Sequence, residues 1–133
     1  MNLIPAPDRI TSLQQREVFV FGSNLAGRHG RGAAVQAKKF GAKDGEGVGH
    51  WGRTYAIPTK DEHLRVLPLR EIERYVLDFK MHVTRCVSDI FLVTRIGCGL
   101  AGYKPADIAP MFADANYNVR LPQCFLDVLE GGK

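Results

Sequence analysis

Two short stretches of this chain hold most of its candidates for chemistry. The first is GSNLAGRHGRG, from Gly22 to Gly32, and the second is GCGLAGY, from Gly97 to Tyr103. Both are dense in glycine, which lets backbone N–H groups approach a ligand closely because no side chain stands between. Gly30, Arg31 and Gly32 run straight into AAVQAKKF, a run of good helix formers beginning at Ala33. Gly97, Cys98, Gly99, Leu100, Ala101 and Gly102 lead toward a second helix after Pro105. Phosphate is held by such N–H donors in front of a helix N-terminus, and two loops side by side suit a diphosphate. The charge pattern agrees. No acid falls between Val18 and Lys43, whereas Arg28, Arg31, Lys38, Lys39 and Lys43 all do, and a local basic region attracts phosphate in a small molecule or in nucleic acid.

A third candidate is Lys60 in IPTKD. It follows a strand and a proline, so it is expected at the same edge as the two loops. A lysine there can bind a phosphate or a ribose hydroxyl, or act as a nucleophile if desolvated; the plain alternative is a surface pair with Asp61. Other chemistries fit less well. GxxxxGK[ST] is absent, and Gly27, Gly30 and Gly32 do not give GxGxxG, so neither a P-loop nor a dinucleotide fingerprint is present. His29, His50, His63 and His82 share no ligand spacing with one another or with the cysteines, so no metal site or other cofactor is expected, and His82 is expected at the surface. Cys98 reads as a small packed thiol rather than a nucleophile. The three cysteines, Cys86, Cys98 and Cys124, make neither a disulfide framework nor a CxxC knuckle, which points to a reducing, cytoplasmic setting.

The elements that must position these residues follow from periodicity. EVFVF, Glu17 to Phe21, reads as a first strand. GAKDGEGVGHWGR reads as a long loop. Thr54 to Ile57 is a strand expected to stop at Pro58. Leu69, Ile72, Val76, Phe79 and Val83 recur at helical spacing behind Pro68 and give the longest helix one buried stripe. Asp89 to Ile96 is an apolar run of strand length, suited to a strand covered on both faces. The next helix starts at Pro105 and kinks, or starts at Pro110. Asn118 to Leu121 is a last short strand and Phe125 to Leu129 a terminal turn or helix, while residues 1–15 form an extended arm. This βα alternation argues a mostly parallel sheet with helices on its faces, in which ligands bind outside the carboxyl ends of the strands. The 133 residues amount to one domain, 45% hydrophobic and 24% charged, with a net charge of +4 and no apolar run long enough to span a membrane.

Three stretches together resemble a known family. FVFGSNLAGRHGRGAAVQAKKFGA resembles the first ligand loop of macrodomains, and VTRIGCGLAGYKPADIA resembles their second. The lysine of YAIPTKD and the RIGCGL turn are most similar to the branch containing the terminal ADP-ribose protein glycohydrolase, and to short bacterial and phage proteins of that type. The resemblance covers Val18 to about Pro122. It implies a three-layer α/β/α sandwich that binds ADP-ribose or a related nucleotide diphosphate. By that resemblance Gly22, Ser23, Asn24, Gly30, Arg31, Gly32 and Ala33 hold the ligand from one side. Gly97, Cys98, Gly99, Leu100, Ala101 and Gly102 close from the other, and Tyr103 contacts the distal ribose. Lys60 matches the branch's covalent nucleophile, and Asn24 is placed to orient water or a hydroxyl. Hydrolysis of an ADP-ribosyl bond is the activity implied, with His50, Trp51 and Tyr55 as candidates to stack on the base. Two departures stand out. Ala101 occupies the position of the branch's catalytic acid, and the chain is shorter than a usual macrodomain. A basic nucleic-acid-binding module without catalysis is the competing reading, carried by Arg28 to Lys43.

Overall fold

Val18, Phe19, Val20 and Phe21 are consecutive, apolar and buried. In a strand such a run sends side chains to both faces, so both faces must be roofed. The computed structural model, which describes residues 2–131, does this with β1 (Glu17–Asn24) at the centre of a five-stranded sheet. The other strands are β2 (Gly49–Trp51), β3 (Thr54–Lys60), β4 (Ile90–Val93) and β5 (Val119–Arg120), in the order β2-β3-β1-β4-β5. Every pairing is parallel except β2 with β3. The chain is one small domain of mixed α/β content.

Val18 and Val20 enter the larger core, under α2 (Leu69–Val83), α3 (Pro105–Ile108) and α4 (Gln123–Gly131). Phe19 and Phe21 enter a smaller one with Ala34 and Ala37 of α1 (Ala33–Lys39) and with Ala6 and Ile10 of the N-terminal arm. The predicted stripe on α2 holds: Ile72, Val76, Phe79 and Val83 are fully buried, and Leu69 packs partly against them. Phe79 meets Tyr55 at 5.0 Å, Phe91 at 5.7 Å and Phe112 at 6.1 Å between ring centroids. Burial of one such ring stabilises by about 1.5–3 kcal/mol. The buried Asn118 side chain donates to the carbonyls of Val83 (2.9 Å) and Cys86 (3.1 Å), closing the end of α2.

Several boundaries differ from the sequence expectation: β1 runs past Phe21 to Asn24, and β4 is shorter than Asp89 to Ile96. Gly49–Trp51 is not loop but an edge strand, formed because the open side of β3 offers it three antiparallel rungs. β3 runs through Pro58 to Lys60. The last rung with β2 is at Ala56, so Pro58 falls where that side of the strand has no partner for an N–H. Of the two starts open for the next helix, the structure has the one at Pro105: one turn, Pro105–Ile108, then a change to a 3-10 turn, Ala109–Phe112, at Pro110. Within the N-terminal arm, which bends several times, Ala6 donates to Leu121 O beside β5.

Phe79→Ala is expected to cost about 3–5 kcal/mol, because its cavity opens between three aromatic neighbours, Tyr55, Phe91 and Phe112, that cannot all collapse inward. Urea unfolding should show a lower midpoint at an unchanged slope.

Candidate anion-binding site

β1 and β4 are adjacent and parallel, but the helices that follow them lie on opposite faces: α1 over the smaller core, α3 over the larger. The loops after the two strands therefore part, and a crevice opens at their carboxyl ends, as at the switch point of any doubly wound sheet. The cavity there has a volume of about 670 Å³, within the roughly 300–1,000 Å³ of small-molecule sites. Thr94 fastens its floor, donating from both its N–H and its hydroxyl to Val20 O.

Most of the expected residues meet in this cavity. Gly22, Ser23, Asn24, Gly30, Arg31, Gly32 and Ala33 line it from the β1 side, Gly97 to Ala101 from the β4 side, and Lys60 from the end of β3. Gly102 and Tyr103 do not. The loop from Gly97 curls on itself, with Gly102 N–H donating to Gly99 O and Tyr103 N–H to Gly97 O. The Tyr103 ring packs against the larger core, and its hydroxyl donates to Leu67 O at 2.6 Å. Tyr103 thus ties the loop to the segment after β3, in place of the expected contact with a ribose.

Asn24 is also engaged otherwise than expected. Its Nδ2 donates to Arg28 O at 2.9 Å, and its Oδ1 accepts from Arg28 N–H at 3.0 Å. Each end of the carboxamide makes one bond that closes the first loop, so Asn24 positions that loop, while a second N–H and a second lone pair remain on a side chain that lines the cavity. The expected stacking partners lie elsewhere. Tyr55 is buried under α2, His50 packs on Tyr55 and His82, and Trp51 lies beneath Lys43 with its N–H on Val48 O.

The electrostatics are one-sided. Arg28, Arg31, Lys60 and Arg95 line the cavity, and among the described residues no carboxylate does. Lys60 is not paired with Asp61. The Asp61 carboxylate instead accepts from the N–H groups of Arg65 (2.9 Å) and His63 (2.8 Å), bonds that hold its pKa below the usual carboxylate range. Asp107, the acid nearest Ala101 in sequence, accepts from Lys104 N–H at the start of α3 and is not part of the lining. Among the described residues Arg95 has one ion-pair partner, the exposed Asp8 at 3.3 Å, an interaction of about 0–1 kcal/mol. Cys98 lines the cavity as a thiol: burial first, then the neighbouring Cys124 and Asp107, pushes its pKa to about 11.

The glycines divide into two kinds. Gly47 lies so near the first loop that a Cβ there would stand 2.0 Å from Asn24 O, and Gly97 has φ +78. Both are demanded by the fold. Gly30 and Gly99 are not: neither has positive φ, and a Cβ on either meets nothing within 4 Å. Their missing side chains leave backbone open toward the cavity.

Two histidines escaped the sequence reading. His29 is buried against Phe21, its Nε2 within 3.0 Å of Lys43 O and 3.1 Å of Glu46 O. Two carbonyl acceptors require the proton on Nε2, so His29 pins the Lys43–Glu46 turn beneath the first loop. His82 is half-buried, not on the surface. Its Nε2 lies 2.8 Å from His50 Nδ1 and 3.6 Å from Cys86 Sγ, so three groups converge: His82 and Cys86 by a four-residue helical spacing that the sequence did carry, and His50 only through the fold. Burial, followed by the charges of His50 and Arg85, holds the pKa of His82 below the ordinary imidazole value.

The molecule is thus an α/β domain with a cation-lined crevice at the carboxyl ends of its parallel strands. No protein-family model matches the chain, no curated protein matches it, and no solved structure matches its fold.

Cys98 is expected to resist alkylation at pH 8, since a thiol with a pKa of about 11 is almost wholly protonated there. Mass-spectrometric timing of iodoacetamide labelling should find Cys98 slow at pH 8 and accelerating as the pH is raised toward that value.

Proposed function

We propose that this chain binds a nucleotide diphosphate of the ADP-ribose class in the crevice between its two glycine loops, on a macrodomain-like α/β/α sandwich. The observation that carries the reading is the cavity's charge: four cationic side chains and, among the described residues, no carboxylate. Arg28, Arg31 and Arg95 are exposed and Lys60 is half-buried, so the four stay hydrated, and their concentration at one crevice with no opposing charge among the described residues draws an anion there. Gly30 and Gly99 add support, because their open backbone lies on opposite walls, as a diphosphate between two loops requires. The two loops face each other closely: a Cβ on Gly32 would lie 4.0 Å from Leu100 Cδ1. The basic stretch beyond Arg31 is less available to nucleic acid, since Lys38 pairs with Asp44 at 3.1 Å and Lys43 covers Trp51.

The same lining favours binding over turnover. Lys60 reaches the cavity with no ion-pair partner among the described residues and is the candidate nucleophile there. With Ala101 in the acid's position and Asp107 engaged at a helix start, no carboxylate is at hand to activate water. The chain is therefore a reader or sequestering binder.

Titration calorimetry with ADP-ribose and related nucleotide sugars tests this, with saturable binding as the expected result. Gly99→Glu is a clean variant because the fold has room for the side chain. It should weaken binding at least ~100-fold, about 2.7 kcal/mol, by setting a carboxylate against the phosphates. Arg31→Ala should lose roughly 10-fold. A folded protein that binds none of these ligands, or a Gly99→Glu variant that binds as well as the parent, would exclude the crevice as their site.

Incubation with ADP-ribosylated protein is expected to leave the modification in place. Release of ADP-ribose that disappears in Lys60→Ala would restore the hydrolase reading and make Lys60 its nucleophile.

A further inference from the structure

At the opposite end of the strands, three soft ligand atoms face one another. His50 comes from β2, His82 from the last turn of α2, and Cys86 from the turn just beyond it. All three side chains are half-buried, and His50 Nδ1, His82 Nε2 and Cys86 Sγ lie within 4.8 Å of one another. The rings of Tyr55 and Phe91, near the starts of β3 and β4, wall the cluster on its inner side.

Hydrogen bonding alone serves this arrangement poorly. An imidazole nitrogen offers either one N–H or one lone pair, in the plane of the ring. His82 Nε2 has two neighbours at once, His50 Nδ1 at 2.8 Å and Cys86 Sγ at 3.6 Å, so one proton or one lone pair is divided between them. A cation at the centre would meet all three lone pairs without competition. With Zn–N near 2.0–2.1 Å and Zn–S near 2.3 Å, ligand atoms on one face of a tetrahedron stand roughly 3.3–3.6 Å apart. The His82–Cys86 separation already matches, and the two histidine nitrogens need to part by roughly half an ångström.

The supporting structure is in place. Cys86 and His82 are four residues apart at a helix end, and Asn118 fixes that end by donating to the carbonyls of Val83 and Cys86. His50 is held in register opposite Tyr55.

We propose that His50, His82 and Cys86 form a three-ligand site for a zinc-class divalent cation, with water completing the tetrahedron on the outer side. Two imidazoles and one thiolate are the donor set that selects such a borderline metal over magnesium or calcium. Binding displaces the Cys86 thiol proton to solvent and forms one Zn–S and two Zn–N bonds. The metal then bolts β2, an edge strand with only three rungs, to the end of α2. The site uses none of the crevice residues and stands or falls independently of the nucleotide.

The test is titration of chelator-treated protein with Co²⁺ and then Zn²⁺. One equivalent of Co²⁺ should give the intense visible bands of tetrahedral cobalt and a thiolate-to-cobalt charge-transfer band, both abolished by Zn²⁺. Cys86→Ser should lose the charge-transfer band, and His50→Ala and His82→Ala the tetrahedral spectrum. Zn²⁺ at a hundredfold excess over its Kd should raise the parent's melting temperature by ~10 °C. X-ray absorption of the parent's zinc complex gives a reading that needs no variant: one sulfur near ~2.3 Å and two imidazole nitrogens near ~2.0 Å. Zinc binding weaker than ~1 µM, a zinc complex without sulfur, or cobalt spectra unchanged in Cys86→Ser would overturn the proposal.

Discussion

The structure depends on β1 being apolar on both sides. A strand whose consecutive side chains are Val18, Phe19, Val20 and Phe21 can be stable only with a roof above and below. The chain supplies α2, α3 and α4 to one face and α1 with the N-terminal arm to the other. Placing helices on opposite faces forces the connections after β1 and β4 apart, and the crevice is the gap they leave. The cavity thus follows from how a doubly apolar strand is covered. Its cations and bare backbone are additions to a space that packing had already made.

The glycine-rich floor of the first loop shows the same economy of layers. His29 and Gly47 act as a pair: one bonds to the carbonyls of the Lys43–Glu46 turn, the other lets that segment slide under Asn24. The first loop therefore rests on protein rather than on solvent. Asn24, with both ends of its carboxamide on Arg28, stiffens it further. A loop held this way arrives pre-shaped, and little ordering entropy remains to oppose an incoming ligand.

Much of this was legible in the residues, for reasons that can be named. The stripe on α2 and the apolar runs of β1 and β4 announce themselves because burial on one face or two leaves a period in the sequence. The two glycine loops at the crevice were visible because glycine is concentrated in them. What escaped has an equally physical cause. β2 carries a glycine and a histidine and has no strand character of its own; it exists because β3 had a vacant edge. Pro58 looked like a terminator because its tolerance depends on where a neighbouring strand ends. Asn24 lines the crevice and Tyr103 does not, and each chose a backbone partner that residue type cannot reveal. His50 and His82 come together only through the packing of α2 on the sheet, which no linear spacing encodes.

The position of β1 has a consequence for how the chain is made. Val18 finds its partner in Phe91, and Phe19 its partner in Thr54. β1 thus precedes both of its neighbours in the sheet, and its second edge is covered only once β4 has followed it. Its contacts are distant in sequence, so loop closure precedes any reward, and folding is slowed accordingly. Until Ile90–Val93 has been synthesised, VFVF has a bare edge with no charged residue nearer than Glu17 before it and Arg28 after it. In that interval the strand at the heart of the finished domain is the segment of the nascent chain most open to pairing with another copy of itself.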